Sequence, residues 1–182
     1  AAVHHPDAIG DRHRLLLVMG DDNESQAEAL LEMHQLELGL AAQLLVYPVT
    51  DVFGNYADAG ANARFPSRAE NAEGYFLSRS VMEWFCGHYL SGKADGEDWR
   101  VSPLRTKDHA GLAPAIVCTA WFDPLRDEGA AYAAALESAD VPAKHYAGEG
   151  LIHGYFGLGE ASEVAGAEAR RARADFKALL NR

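Results

Sequence analysis

The stretch Ala115–Thr119 reads AIVCT, a short apolar run that is entered through a proline. Two further runs have the same character, LLLVM at Leu15–Met19 and QLLVY at Gln43–Tyr47. A fourth run, AKHY at Ala143–Tyr146, also follows a proline. The first three runs are continuous rather than alternating, which is typical of parallel strands covered by helices on both faces. The sequence therefore predicts four strands of a mostly parallel sheet.

Helical patterns fill the gaps between these runs. Three segments carry apolar residues at helical spacing, namely Gln26–Leu36, the alanine-rich Arg126–Ser138 and the amphipathic Ala161–Leu180. Strands that alternate with helices predict right-handed crossovers and an α/β fold. Asp127 and Glu128 begin the second helix, where acids in the first turn complement the helix dipole.

The stretch from 51 to about 100 interrupts this alternation. It is too long for a plain crossover and contains its own predicted helix, over about Ser80–Leu90. Ser80 and Glu83 have the spacing of a capping box at the start of that helix. The helix carries more apolar residues than one narrow buried stripe needs, so it either packs in the core or lies over an apolar ligand pocket. The predicted organisation is the first part of the α/β core over 1–50, a cap-like helical insertion over 51–100, and the remainder of the core over 101–182.

Composition excludes several classes of function. The net charge of −11 would repel a phosphate backbone, so nucleic acid is not an expected partner. No stretch approaches 18 uninterrupted apolar residues, which excludes a membrane-spanning helix. Cys86 and Cys118 lack metal-ligand spacing and are expected to be reduced thiols, and the pair His4-His5 fits a solvated terminus better than a metal site. We expect no cofactor and no metal, and a cytoplasmic location because no export signal is visible.

Two titratable residues follow neighbouring strands. Asp123 comes shortly after the third predicted strand and His153 after the fourth. Ligands of open α/β sheets bind outside the carboxyl ends of the strands, so both residues lie at the functional edge. A carboxylate there can accept the imidazole Nδ1–H, which fixes the tautomer and stabilises the imidazolium. We therefore expect the two side chains within about 2.6–3.2 Å of each other.

Five segments, in order and with plausible spacing, resemble the hormone-sensitive-lipase-like carboxylesterases of bacteria. They are QLLVYPVTD at Gln43–Asp51, ENAEGYFL at Glu70–Leu77, SPL at Ser102–Leu104, DPLRDEG at Asp123–Gly129 and IHGYF at Ile152–Phe156. The resemblance runs over residues 40–160 and identifies the chain as similar to the C-terminal half of an α/β-hydrolase with a helical cap.

The resemblance implies an acyl-ester hydrolase that works through an acyl-enzyme with a Ser-Asp-His triad. Asp123 and His153 take the places of the acid and the base. The cap implies a substrate pocket for a small ester, and the residues expected to line it are Tyr75, Phe76, Met82 and Phe85.

Two departures from the family pattern bear on activity. The family's nucleophile elbow reads GDSAGG, whereas the aligned stretch here reads GDDNES, so Asp22 occupies the expected serine position. Glu24 stands where the elbow needs a small residue, and Ser25 lies three residues late, at a helix N-cap position. The oxyanion segment HGGG also has no counterpart before residue 15, so the chain is expected to be inactive or weak.

Two other interpretations stay open. The chain could be a non-catalytic binding or assembly module on a hydrolase scaffold. Related α/β-hydrolases use an aspartate at the elbow to displace halide or to open epoxides, and Asp22 would then be the nucleophile with His153 activating water.

The strand Leu15–Met19 is normally an interior strand of such a sheet. Its second neighbour is not in this sequence, which would leave unpaired backbone groups along an apolar edge. We expect a missing N-terminal chain or a second copy to cover that edge, unless residues 1–14 fold back over it.

Overall fold

The structure is a computed structural model that describes the backbone of residues 14–18 and all of residues 40–90 and 96–181. The predicted helix Gln26–Leu36 and the elbow stretch that contains Asp22 and Ser25 lie outside the described residues. The described part contains the backbone of the sheet and the loops that carry Asp123 and His153.

Four parallel strands form one sheet in the order β1-β2-β3-β4. The register places Leu44 of β2 beside Ile116 of β3, and Ile116 beside Lys144 of β4. The predicted parallel α/β architecture is therefore confirmed. The strands are β1 (Arg14–Val18), β2 (Leu40–Val46), β3 (Ala115–Cys118) and β4 (Ala143–Tyr146).

Five α-helices lie in the described residues, two of them long enough to cover the sheet. They are α1 (Ala59–Asn62), α2 (Ser67–Glu70), α3 (Arg79–Tyr89), α4 (Arg126–Ser138) and α5 (Glu163–Leu180). Short 3₁₀ turns occur at Phe53–Tyr56, Pro103–Arg105 and Tyr155–Gly157. None of the helices in the described part of the chain has the length and apolarity that crossing a membrane requires.

The two faces of the sheet carry separate apolar clusters, one under each long helix. Strand side chains alternate between the faces, so Leu44 and Ile116 join α5 while Leu45 and Val117 join α4. Alanines of α5 (Ala165, Ala169 and Ala172) let that helix lie close to the sheet. Strands β2 and β3 are therefore buried on both faces, as their continuous apolar runs predict.

The segment 51–100 builds a third cluster outside the two sheet faces. Its helix α3 buries Met82 and Cys86 against Val52 and Leu77, and Leu125 of the core joins them. The start of this helix differs from the sequence-based expectation. Ser78 is the N-cap, because its hydroxyl accepts from the Val81 N–H at 3.3 Å. The predicted capping box is wrong, since Glu83 instead pairs with Arg79 at 3.3 Å.

Beyond their regular ends, β3 and β4 stay unusually close together. The Trp121 N–H donates to the Gly148 carbonyl oxygen at 3.2 Å, and Gly148 adopts a φ of 55°. A Cβ added at Gly148 would lie 2.4 Å from the Thr119 carbonyl oxygen, which no side chain tolerates. Glycine at 148 is therefore required for the two strand extensions to remain in contact up to the loops that carry Asp123 and His153.

Replacing Gly148 by alanine should destabilise the chain far more than the same change at Gly150. Gly150 also has a positive φ, of 74°, but an added Cβ there meets nothing within 4 Å. Gly150→Ala should cost about 1–2 kcal/mol from the left-handed backbone alone. Gly148→Ala adds an overpacking cost of about 1–3 kcal/mol. Urea denaturation of both variants measures the difference in the free energy of unfolding. Equal losses of stability would contradict the close approach of residue 148 to the Thr119 carbonyl oxygen.

Candidate active site

Asp123 and His153 are brought side by side by one isolated pairing beyond the sheet. Phe122 and Ile152 form a parallel bridge, and the Phe122 N–H donates to the Leu151 carbonyl oxygen at 3.0 Å. Asp123 and His153 are the next residues on the two paired strands. Because parallel strands advance together, residues one step beyond a bridge stay neighbours.

The two side chains form a direct hydrogen bond. His153 Nδ1 lies 2.7 Å from Asp123 Oδ2, within the range expected from the sequence. Asp123 is fully buried, and its Oδ1 accepts from the Leu125 N–H at 2.9 Å. The carboxylate is therefore held at both oxygens. With Nδ1 donating to Asp123, Nε2 is the ring nitrogen that can take a proton.

Two aromatic residues of the insertion lie against the loops that carry this pair. The Tyr75 ring stacks on Phe122 with centroids 4.7 Å apart, and the Phe76 ring lies next to Gly154. Phe76 is 73% exposed, which is unusual for an aromatic side chain. The structure thus places two of the four predicted pocket residues beside the loop over residues 119–125, here called the acid loop, and the loop over residues 147–154, here called the histidine loop.

The other two predicted pocket residues lie in the third apolar cluster. Met82 is buried there, and Phe85 is partly buried against the same cluster and contacts Trp84 edge to face. This cluster also holds Leu125, two residues after Asp123. Met82 and Phe85 therefore connect to the site through the acid loop.

A fully buried ion pair joins the insertion to the first turn of α4, directly after the acid loop. The Arg68 guanidinium lies 2.6 Å from Glu128, and neither side chain is exposed. Glu128 also accepts from the Thr50 N–H at 2.8 Å and from the Tyr56 hydroxyl at 3.0 Å. Burial, and then the Glu128 charge, raises the pKa of Tyr56 well above its ordinary value, so this hydroxyl stays protonated and donates.

Arg68 reaches further partners around the same carboxylate. It donates to the Asp51 carbonyl oxygen and to Asn62 Oδ1, the latter at 3.2 Å. The guanidinium also packs over the Tyr56 ring, 4.1 Å from its centroid. Burial raises the pKa of Glu128 and the Arg68 charge opposes that shift. The charged carboxylate is therefore stable in this place only while its partners surround it.

Helix α2 and the residue after it hold the backbone on either side of Asp123. Asn71 donates to the Asp123 carbonyl oxygen at 3.2 Å and to the Trp121 carbonyl oxygen at 3.3 Å. Ser67 donates to the Pro124 carbonyl oxygen at 2.9 Å and, through its N–H, to Asp127 at 2.7 Å. The first part of the insertion is therefore a support for the acid loop.

Glu128 lies in the first turn of α4, as the sequence predicts, and its carboxylate also binds Arg68 in the interior. Asn71, Ser67 and Arg68 were not singled out from the sequence. The sequence held one signal for such a partner. Glu128 lies in the segment Asp123–Gly129 that resembles the family pattern, and a carboxylate that is buried there needs a cationic partner.

Neither a cysteine thiolate nor a metal site occurs among the described residues. Burial raises the pKa of Cys86 and of Cys118 to about 12, so both thiols stay neutral and neither is a thiolate nucleophile. Among the described residues, no three His, Cys, Asp or Glu side chains are grouped to hold a metal ion. Asp22, at the expected nucleophile position, lies outside the described residues.

Comparison with known proteins gives one family. A family model described as alpha/beta hydrolase fold matches residues 15–157. Ethyl acetate hydrolase of Pseudomonas putida is 35% identical over 167 residues, which are 90% of this chain and 50% of that protein. Carboxylesterase NlhH of Mycobacterium tuberculosis is 32% identical over 94% of this chain and 53% of its own length. The chain thus spans about half the length of these relatives.

Solved structures agree with this fold. The thermostable carboxylesterase EstE1 from a metagenomic library has a TM-score of 0.72 and 29% identity, over 87% of this chain and 52% of that one. A thermostable esterase from Pseudomonas putida has a TM-score of 0.67 and 35% identity, over 87% of this chain and 47% of that one.

Breaking the buried ion pair should strongly destabilise the chain. Arg68→Met leaves the Glu128 carboxylate buried without its counter-charge, which costs about 3–5 kcal/mol. The double variant Arg68→Met/Glu128→Gln should lose less than the sum of the two single variants, because neither charge is then left alone. Urea unfolding of the four proteins of this cycle measures the coupling.

The exposed pair Arg79–Glu83 is the matched control. Its side chains are 39% and 37% exposed, so Arg79→Ala should cost only about 0.3–0.5 kcal/mol. If Arg68→Met lowered the free energy of unfolding no more than Arg79→Ala does, the buried pair would not be what holds the insertion against the core.

Proposed function

The chain belongs to the α/β-hydrolase family, and we propose that Asp123 and His153 are the acid and base of a site for carboxylic ester hydrolysis. The observation that carries the proposal is the 2.7 Å bond between His153 Nδ1 and Asp123 Oδ2 at the ends of neighbouring strands. The similarity to proteins named as ester hydrolases supports a small-molecule ester as substrate.

The chemistry requires a serine hydroxyl near His153 Nε2. As the serine oxygen attacks the ester carbonyl, its proton passes to Nε2 and the Asp123 carboxylate stabilises the imidazolium. The same proton then goes to the departing alcohol, which leaves an acyl-enzyme. Water next gives a proton to Nε2 and attacks the acyl carbon, which releases the carboxylic acid and restores the serine.

The apolar part of the ester would lie against the exposed rings of Tyr75 and Phe76. Both rings contact the loops that carry Asp123 and His153, so a substrate there would be within reach of the base. Met82 and Phe85 would shape this surface from the cluster that contains Leu125. Apolar walls with few polar groups are the usual form of such pockets.

We propose that the 182-residue chain by itself hydrolyses esters poorly. Its sequence places Asp22 at the family's serine position, and a carboxylate has no hydroxyl proton for His153 to take. The sequence also contains no His-Gly-Gly-Gly stretch to bind the oxyanion of the tetrahedral intermediate. The Asp123–His153 pair can supply neither the attacking hydroxyl nor the hydrogen-bond donors for the oxyanion.

A second candidate function is binding of an apolar ligand or partner without catalysis. It is favoured by the exposed aromatic side chains of the insertion, since Phe76 is 73% and Trp84 is 56% exposed. A third candidate, with Asp22 as nucleophile, would displace halide or open an epoxide, and a haloalkane assay separates it from the other two.

The purified chain should show little or no turnover of a short p-nitrophenyl ester, and Asp22→Ser should restore little. Loss of a single oxyanion donor already lowers the rate by about 10²–10³. The measurement compares the initial rates of the unmodified chain and of Asp22→Ser, with His153→Gln as the blank. A haloalkane in place of the ester should release no halide.

Robust turnover by the unmodified chain would contradict this proposal. If an organophosphate both blocked that turnover and labelled Ser25, the nucleophile would be Ser25 and the alignment at Asp22 would be wrong. Turnover that survives His153→Gln would instead remove the proposed base.

We further propose that the edge of β1 is covered by a polypeptide that precedes it in the whole protein. Within the described residues β1 pairs with β2 and is the edge strand of the sheet. The segment that ethyl acetate hydrolase of Pseudomonas putida shares with this chain is 50% of that protein's length. An open parallel edge of leucines would associate readily.

Sedimentation of the isolated chain at micromolar concentration tests this. Species larger than the 19.7 kDa monomer, together with binding of an apolar dye, are expected because an edge strand without its neighbouring strand pairs with other chains. A defined dimer would show that a second copy covers it. A clean monomer that binds no dye would contradict the proposal and favour residues 1–14 as the cover.

A further inference from the structure

Tyr47 has a backbone conformation that tyrosine rarely adopts. It follows β2 directly and has a φ of 50°, in the left-handed region where a side chain crowds the backbone. Its N–H nevertheless donates to the Cys118 carbonyl oxygen at 2.7 Å, so the strand pairing continues to this residue. Such a conformation persists only where the surroundings hold it, and it tends to occur at functional sites.

The left-handed conformation changes the face on which the ring lies. Along β2, Leu44 and Val46 point to the α5 face and Leu45 to the α4 face. Strand alternation would place residue 47 with Leu45. Tyr47 instead packs with Val46 on the α5 face. The unusual φ therefore turns the ring toward the side on which the histidine loop lies.

On that side Tyr47 makes two contacts with the histidine loop. Its ring centroid is 4.6 Å from the His153 ring, at an angle of 44° between the planes. Its hydroxyl accepts from the Phe156 N–H at 2.6 Å, in the turn that follows the histidine. Tyr155 and Phe156 pack their rings edge to face against Tyr47, at 5.2 and 6.0 Å.

We propose that Tyr47 is a positioning residue for the imidazole of His153. The bond to Asp123 holds one edge of the imidazole but leaves rotation about that bond. The Tyr47 ring lies against the imidazole and opposes this rotation, while its hydroxyl fixes the turn that carries the histidine. Nε2 is then held toward the place of the reacting serine. This inference rests on the proposed roles of Asp123 and His153.

Nitrogen-15 NMR of the histidine side chains tests the proposal without any need for turnover. The Nδ1–H signal of His153 is assigned by its loss in His153→Gln. In Tyr47→Leu, which removes ring and hydroxyl, exchange of this proton with solvent should become roughly tenfold faster than in the unmodified chain. Tyr47→Phe removes the hydroxyl alone and should give a smaller increase, together with faster exchange of the Phe156 amide.

The Val117 amide is the internal reference, because Val117 is fully buried in β3. Tyr132→Phe is the matched control, since Tyr132 is a buried tyrosine under the opposite face of the sheet. It should leave the His153 signal unchanged. The proposal is overturned if the His153 proton is unaffected in the Tyr47 variants, or if it accelerates only in proportion to Val117, as general destabilisation would produce.

If Tyr47→Leu does not fold, Tyr47→Phe decides by the same comparison. Absence of a His153 Nδ1–H signal in the unmodified chain would remove the Asp123–His153 pair, and this inference with it. Absence of ester hydrolysis in the presence of that signal counts against the proposed function alone.

Discussion

The buried carboxylate of Glu128 is the interaction on which the rest of the described structure depends. A charge in the interior is stable only when donors surround it. Its donors come from three separate stretches, namely the loop after β2 at Thr50, the turn at Tyr56 and helix α2 at Arg68. Because these donors meet at one buried carboxylate, the first part of the insertion is packed against the first turn of α4.

The position of Asp123, the proposed acid, depends on this arrangement. Asp123 follows β3, and this strand fixes its position along the strand direction. Residues of the segment Ser67–Asn71 donate to the backbone around it, at the carbonyl oxygens of Asp123 and Pro124. His153 is placed from the other direction, by the bridge between Ile152 and Phe122. The close approach at Gly148 keeps the two strand extensions together up to that bridge. The pairing of the extensions of β3 and β4 therefore positions Asp123 and His153 several residues beyond the regular ends of these short strands.

The described contacts of Asp123 and His153 explain how this pair can be intact in a chain that spans about half of its relatives. Both residues, and the Leu125 and Asn71 groups that bond to Asp123, lie within residues 40–181. In the proposed chemistry the nucleophile and the oxyanion donors are separate from the acid and the base. An intact Asp123–His153 pair is therefore compatible with weak hydrolysis.

The sequence by itself determined the parallel α/β fold, the bounds of β4 and α4, and the proximity of Asp123 and His153. These follow from local patterns, because apolar runs specify buried strands and residues after neighbouring parallel strands share one edge. Only the tertiary structure decided the partner of Glu128, the support of the acid loop by Asn71 and the left-handed turn at Tyr47. Those features join residues 52 to 109 positions apart, and no local pattern marks such pairings. The turn at Tyr47 is also made by a residue with no preference for it, so only the packing around its ring, which forms when the chain is folded, can hold it there.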